Sequence, residues 1–476
     1  MMLIPLTTDV FVWMLVAAIA GYFLYVRRQP HLLLPWRRVT RSAYGMSALV
    51  VLSVFIAVGL LDSAHFRPAL ERKGEQGAAI YSTEVLSLFD VAVAPLRVHR
   101  ERTYSAPLAT RAFARETFET PGPEGKPQQV REFPKLAWGG AHLKDEADRS
   151  RDILLRTALG LALALLLWGA IAAAVTVVQA RSSGCRAREA WRAIWRAETR
   201  TPWRAMLVTA GVLLALAGPA LMLCAHYHIL GTDKVGRDVF YLALKSIRTG
   251  LVIGTLTTLM LLPFAVALGI MAGYFRGWID DVIQYIYTTI NSIPGVLLIA
   301  AAVLLVQVQL DRHAELFPTS AQRADLRLLC LCAILGFTGW TGLARLLRGE
   351  ALKLRELEFV QAAQAFGVRN TRIITRHILP NVMHIVLISL VMDFSALVLA
   401  EAVLSYVGVG VDPSTISFGT MINAARLEMS REPIVWWSLA AAFVFMFVMV
   451  LAANLFADAV RDAFDPRVKV GTLAAA

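Results

Sequence analysis

Charge and cysteine are both scarce in this sequence. Only 17% of the 476 residues are Asp, Glu, Lys or Arg, against 57% hydrophobic residues, a balance that excludes an ordinary soluble domain and fits a polytopic membrane protein. The four cysteines, Cys185, Cys224, Cys330 and Cys332, lie in or beside apolar runs, and Cys330 and Cys332 point to different sides of a helix. That argues against a disulfide framework or a zinc site. A Walker A glycine loop, His-Glu-x-x-His and Gly-x-Ser-x-Gly are all missing, so no catalytic residue, metal ligand or cofactor is expected in this chain. No positive segment precedes the first apolar run, and Arg27 and Arg28 follow it. The run is therefore expected to stay as an anchor rather than be cleaved as a leader.

Long apolar runs are plentiful. Nine are long enough to cross a hydrocarbon layer of ~30 Å: Val10 to Val26, Ala43 to Leu61, Ile153 to Val178, Met206 to Cys224, Leu251 to Phe275, Val282 to Leu310, Leu328 to Ala344, Val382 to Gly408 and Pro433 to Ala457. The expected fold is all-α, with about nine transmembrane helices and termini on opposite sides. Arg27, Arg28, Arg37, Arg38 and Arg41 follow the first run, and seven Arg crowd residues 181 to 204 against Glu189 and Glu198. Both loops are expected inside by the positive-inside rule. The 89-residue loop from Asp62 to Ser150 carries thirteen basic and thirteen acidic residues and is placed outside, which puts the N-terminus outside and the C-terminus inside. One outward loop dissents: residues 228 to 250 hold Lys234, Arg237, Lys245 and Arg248 against Asp233 and Asp238. The net charge of +12 sits largely at inner membrane edges, so contact with anionic lipid explains it without nucleic acid.

Four segments are expected: an extension over 1–180 with three spans and the outer loop 62–150, a basic segment over 181–204, a six-span region over 205–467, and a tail over 468–476. Pro-Gly-Pro-Glu-Gly-Lys-Pro at 121 to 127 reads as a turn or linker. Arg186 to Arg196, with Trp191, Ile194 and Trp195, has the composition of an amphipathic helix in the interface. His142 with Arg151-Asp152 and His228 with Arg237-Asp238 share one spacing, but nothing else in the two segments matches well and the likeness reads as coincidence.

The most informative stretch is the polar island at 348–380, where six Lys/Arg face three acids between two apolar runs. Phe359, Ala362, Ala363 and Phe366 fall on one side of a short helix. Gly367 is expected to take a left-handed cap, Asn370 to cap a second helix, and Pro380 to end it. A small-residue helix followed by a capped turn suits a knob for a partner's socket; the plain alternative is a loop that anchors two spans.

The tail of this island, Gln361-Ala362-Ala363, Gly367 and Ile378-Leu379-Pro380, resembles the signature loop of ABC importer membrane subunits. Further segments resemble the C-type permease of dipeptide and oligopeptide importers: Gly231-Thr232-Asp233 with Gly236-Arg237-Asp238, Gly273-Tyr274-Phe275-Arg276-Gly277-Trp278, Ala400 to Gly410, and Ala459 to Arg467. They fall in the family's order over roughly residues 186 to 467, and five in sequence are far more specific than any one. The resemblance implies a type I ABC importer membrane domain in the C-terminal part. It also implies a homologous second permease, two cytoplasmic ATPases that bind the ATP and Mg, and a periplasmic binding protein in a bacterial inner membrane. Gln361 stands where the family usually has Glu, which would replace a salt bridge with the ATPase by a neutral hydrogen bond. Residues 1–180 have no counterpart in the usual pattern, whose first span corresponds to Met206 to Cys224.

Two readings stand beside each remaining motif. Gly231 to Asp238 reads as a glycine-turned loop with Asp238 capping a helix, or as a contact for the binding protein or second permease. Asn291, Ser292 and Pro294 bend a span as a packing kink or as a gate. Asp393 and Glu401, ionisable groups inside a span, line the translocation path or a helix interface. The rival to an importer is a membrane scaffold or sensor that transports nothing; a secondary transporter is disfavoured for want of an inverted repeat. Peptide, nickel chelate and glutathione-like cargo all remain open.

Overall fold

The computed structural model describes residues 2–464 apart from residues 5, 29, 74–78, 83, 122–126, 314 and 316–318. The interior of the turn expected at 121 to 127, the end of the motif at 459 to 467 and the 468–476 tail lie outside the described residues.

Before residue 149, helices α1 (Thr7–Arg27), α2 (Pro30–Val39) and α3 (Ala43–Asp62) are followed by the 62–150 loop, which holds the short α4 (Leu88–Ala92) and α5 (Ala94–Val98). The loop is not structureless. Strands β1 (Met2–Leu3), β2 (His65–Arg67), β3 (Ala69–Lys73), β4 (Ala79–Tyr81), β5 (Leu86–Ser87), β6 (Glu116–Pro121) and β7 (Pro127–Glu132) form three small antiparallel sheets in the orders β1-β2-β5, β3-β4 and β6-β7. Then come α6 (Arg149–Ser183), the amphipathic α7 (Ala187–Trp195) and α8 (Trp203–Leu223).

The rest is α9 (Val239–Phe275), α10 (Trp278–Ser292), α11 (Gly295–Arg312), α12 (Ser320–Gly339), α13 (Thr341–Arg355), α14 (Glu358–Ala365), α15 (Asn370–Ile373), α16 (Leu379–Val407), α17 (Phe418–Glu428) and α18 (Trp437–Phe464). Among the described residues nine helical stretches are long and apolar enough to cross a membrane. Several exceed the apolar run that announced them. Asp238 starts α9 by accepting from the N–H groups of Phe240 and Tyr241, so the 37-residue helix begins well before Leu251. The run at Leu328 to Ala344 lies inside one 36-residue stretch, Ser320–Arg355. The run at Val282 to Leu310 is broken instead: Pro294 has no N–H to give and holds Ile293 extended (ψ 132°), so α10 stops and α11 starts anew.

In lipid, helices associate by close packing rather than by escape from water, and the contacts here use small residues. Gly254 of α9 admits the Phe394 ring of α16, and Gly59 of α3 admits Leu251 of α9. At the end carrying the 62–150 loop, named the outer end after the expected orientation, Val239, Phe418, Trp437 and Met449 pack with Phe55, Phe89, Leu96 and Tyr104. The first 180 residues thus contribute to the central core. At the inner end Ala265, Leu347, Ala351, Val360, Ile373 and Ile378 form a second core.

Candidate functional site

The island resolves into a rigid elbow. Val360, Ile373 and Ile378 are fully buried in the inner core, while Phe359, Gln361, Ala362, Gly367 and Pro380 are exposed and Ala363 and Leu379 half-buried. Phe366 is 87% exposed. Gly367 has φ +69°, and its N–H donates to the Gln364 carbonyl at 3.0 Å while that of Val368 donates to Ala363 at 3.1 Å. This is the left-handed closure expected of glycine after a helix.

Two expectations for the loop are corrected. Asn370 does not cap α15; its Oδ1 accepts from the Tyr274 hydroxyl at 2.9 Å. Pro380 does not end a helix but stands just after a wide π-type turn, at the start of α16, and the helix runs on past it. Asn370 to Val407 is one helical stretch, with a wide π-type turn at Ile374–Ile378. The second half of the elbow is thus continuous with the spanning helix α16.

The segment Gly273 to Trp278 proves to be the elbow's seat. Tyr274 donates to Asn370 and accepts from Gln364 at 3.3 Å, while its carbonyl accepts from Arg355 at 2.8 Å. Gly273 lies against Ala351, where a side chain would not fit. Asp280 of α10 receives two bonds from Arg348, at 2.6 and 2.7 Å, the forked geometry that makes such pairs strong. Tyr274, Asp280 and Arg348 were given no such role from sequence; Tyr274 lies within a recognisable segment and Arg348 is the first basic residue of the 348–380 island. Gln361 donates to Glu356 at 3.4 Å, and Glu356 accepts from Arg276 at 2.5 Å. A Glu at 361 would face Glu356, so the neutral side chain suits its surroundings.

At the outer end, Gly231 to Asp238 turns back under the chain's own loop. Thr232 is fully buried, accepting from the Ser105 N–H at 2.7 Å and donating to the Thr103 carbonyl at 2.9 Å. Trp437 Nε1 donates to the Thr232 carbonyl at 2.9 Å. Gly236 has φ +73° and sits on the Glu101 carbonyl. Gly231 is buried as well, and Asp233 accepts from the Arg237 side chain at 2.8 Å. Only Lys234 and Val235 are exposed within the turn, which leaves the buried residues of the motif without a face for a partner. Behind it, His228 Nδ1 lies 2.7 Å from Asp238, and Nε2 lies 3.4 Å from Glu101. Burial opposes a charge on His228, but the hydrogen bond to Asp238 and the nearby Glu101 carboxylate prevail and raise its pKa to about 9. Burial acts against the Glu101 carboxylate too, yet His228 and the amides of Ala137, Gly139 and Trp138 bring it down to about 2.

Two of the four dissenting basic residues, Lys245 and Arg248, pair with aspartates of the extension, while Arg237 pairs with Asp233 of its own turn. Lys245 reaches Asp62 at 3.1 Å and Asp90 at 2.6 Å, and Arg248 reaches Asp9 at 2.6 Å and Asp325 at 3.8 Å.

The four span residues separate. Glu401, 1% exposed, accepts from Ser405 at 2.7 Å and Ser417 at 2.9 Å, which places it in a helix interface rather than on an open path. Asp393 is half-buried. Asn291 accepts from Thr341 at 3.1 Å and Pro294 is exposed at the α10–α11 break. Beside the break, Phe264, Ile293, Leu298 and Phe337 help line an open apolar cleft of about 940 Å³.

Residues 265–470 match the family model described as a binding-protein-dependent transport system inner membrane component. The chain is 32% identical over 239 residues to the oligopeptide transport permease OppC of Mycobacterium bovis, covering 50% of this chain and 76% of that one. It is likewise 32% identical over 278 residues to the dipeptide transport permease DppC of Alkalihalophilus pseudofirmus, covering 56% and 84%. The chain belongs to the dipeptide and oligopeptide ABC importer permeases. A third member, the glutathione transport permease GsiD of Pectobacterium atrosepticum, is 32% identical over 244 residues, covering 51% and 73%. The permease is accordingly a multi-pass inner-membrane transport subunit. Its matched stretch contains both the Tyr274 seat and the whole elbow.

Proposed function

We propose that this permease carries peptides as one half of a translocation path, with a homologous second permease, two ATPases and a periplasmic binding protein. The N-terminus and the 62–150 loop face the periplasm, and the C-terminus faces the cytoplasm with the elbow. Residues 359–380 act as the coupling helices, and alternating access follows from their movement. The observation that carries this reading is the elbow itself: fixed by buried Val360, Ile373 and Ile378, seated on Tyr274, and offering an uncovered Phe366. An ATPase that grips Phe359, Ala362 and Phe366 moves α16 directly. The break at Asn291 to Pro294, beside the apolar cleft, gives α11 room to rock.

Co-purification with the ATPase is lost on Gly367→Pro or on deleting 359–380, and ATP-driven uptake of labelled peptides is lost with it. Uptake retained by both variants would overturn the coupling assignment, and a wild-type chain that transports nothing would leave the scaffold reading. Peptide is preferred to other cargo because two of the three relatives named, OppC and DppC, are oligopeptide and dipeptide permeases; a panel that includes glutathione and nickel chelate decides it.

A further inference from the structure

His142, Arg151 and Asp152 stand 86 residues before His228, Arg237 and Asp238, and in both the histidine ring meets the aspartate, through Nε2 in the first and Nδ1 in the second. His142 Nε2 lies 2.8 Å from Asp152 Oδ2, and His228 Nδ1 lies 2.7 Å from Asp238 Oδ2. Each aspartate stands at the start of a spanning helix, Asp152 in the first turn of α6 and Asp238 at the cap of α9. The likeness is therefore structural, not a coincidence of letters.

The two segments also meet. The Gly140 N–H donates to the His226 carbonyl at 2.9 Å, the Tyr227 hydroxyl donates to Asp152 at 2.8 Å, and the His142 and His226 rings are 4.8 Å apart. The chain leaves the outer end at Ala141, passes through α6, α7 and α8, and returns to the same place.

Packing draws the same boundary. α6 and α8 pair closely: a side chain on Gly160 would come within 2.6 Å of the Gly218 carbonyl, and Trp168 donates to the Leu207 carbonyl at 2.8 Å. This pair meets the bundle where α8 packs on α3. In contrast, α3 lies directly on α9 and α18, with Gly59 against Leu251, Gly45 against Ala459, and Leu52 among Ala452 and Ala453. Two crossings are an even number, so their presence leaves every later helix on its own side of the membrane.

We infer that α3 is the first span of the transport bundle and that residues 142–227 are an inserted two-span unit that transport does not need. This rests on the permease reading but moves its boundary: α8, which the sequence suggested as the first span, belongs to the insert. The role of α3 also explains why the extension carries the acids that neutralise Lys245 and Arg248.

The test compares uptake of radiolabelled di- and tripeptides by the complete importer reconstituted in vesicles. Three forms of the full complex are made, carrying a deletion of 142–227 that joins Ala141 to His228, the full chain with Gly160→Leu, or the full chain with Gly59→Leu. The deletion and Gly160→Leu are expected to stay within about two-fold of wild type, since α3 keeps its own packing on α9 and α18 in both. Gly59→Leu is expected to lower uptake by about ten-fold or more, because it forces α3 off α9. Loss of uptake in the deletion, or its absence from the membrane at wild-type expression, overturns the inference. So does an active Gly59→Leu beside an inactive Gly160→Leu. An inactive wild type would instead sink the permease reading.

Discussion

Arg248 donates to the Asp9 carboxylate at 2.6 Å, joining two residues 239 apart in sequence and fixing α9 to α1. Arg248 also donates to Thr8 at 2.9 Å, and Asp325 of α12 accepts from the Thr8 hydroxyl and from its N–H at 3.0 Å. A buried charge is tolerable only when paired and fully hydrogen-bonded, and this one is shared among three helices.

Arg248→Met removes the guanidinium from buried Asp9 and Asp325 and leaves Asp9 with its contact to His65 at 2.7 Å. Removal of one partner of such a pair typically costs about 3–5 kcal/mol, so the purified permease is expected to unfold at a clearly lower temperature. Arg248→Lys recovers only part of the loss, because an ammonium lacks the guanidinium's fork. Thermal denaturation of the detergent-solubilised protein measures both; equal midpoints for Met and wild type would contradict the pairing.

His228 gives a pH signature. Its pKa is raised to about 9 in the folded protein, against an ordinary value of about 6.5. Its contribution to stability is therefore complete below about pH 6.5 and is lost as pH climbs through about 9. The unfolding temperature is expected to fall across that window, by an amount on the order of 1–3 kcal/mol of stability. In His228→Gln the same titration is flatter. Glu101, held down at about 2, acts at the other end: its contribution is complete above about pH 4.5 and is lost as pH falls towards 2.

Two left-handed glycines separate stability from coupling. A methyl at Gly236 meets the Glu101 carbonyl as well as an unfavourable φ, whereas Gly367 faces open space. Gly367→Ala carries only the conformational cost, roughly 1–2 kcal/mol, and keeps the fold while weakening ATPase capture. Gly236→Ala destabilises more and shows in the unfolding temperature first.

Tyr274→Phe removes the hydroxyl that bridges Asn370 and Gln364. The expected stability loss is about 1 kcal/mol, small beside its functional effect, because the elbow loses part of its seat. ATP hydrolysed per peptide imported should rise. An unchanged ratio would mean that the Arg348–Asp280 pair and buried Val360 suffice to hold α14.

Much of this was legible in the residues. The apolar runs announced the crossings, Gly367 announced its turn, and Asp238 announced the start of α9, because each follows from local chemistry that neighbours cannot easily override. Asn370 was misread since its side chain satisfies a hydroxyl nearly a hundred positions away, and Pro380 since the helix runs on past it after the wide π-type turn at Ile374–Ile378. The lengths of α9 and of Ser320–Arg355 were underestimated because polar residues continue a helix beyond the hydrocarbon wherever caps and ion pairs support them.

Hydropathy and loop charge, which act residue by residue, determined that this chain is a bundle of membrane helices with a basic elbow at 348–380. Which helices form the bundle was decided only in three dimensions. Packing of α3 on α9, pairing of Lys245 and Arg248 with aspartates of the extension, and the meeting of Gly140 with His226 all join residues far apart in the chain. Contacts of that kind depend on geometry that no local pattern encodes.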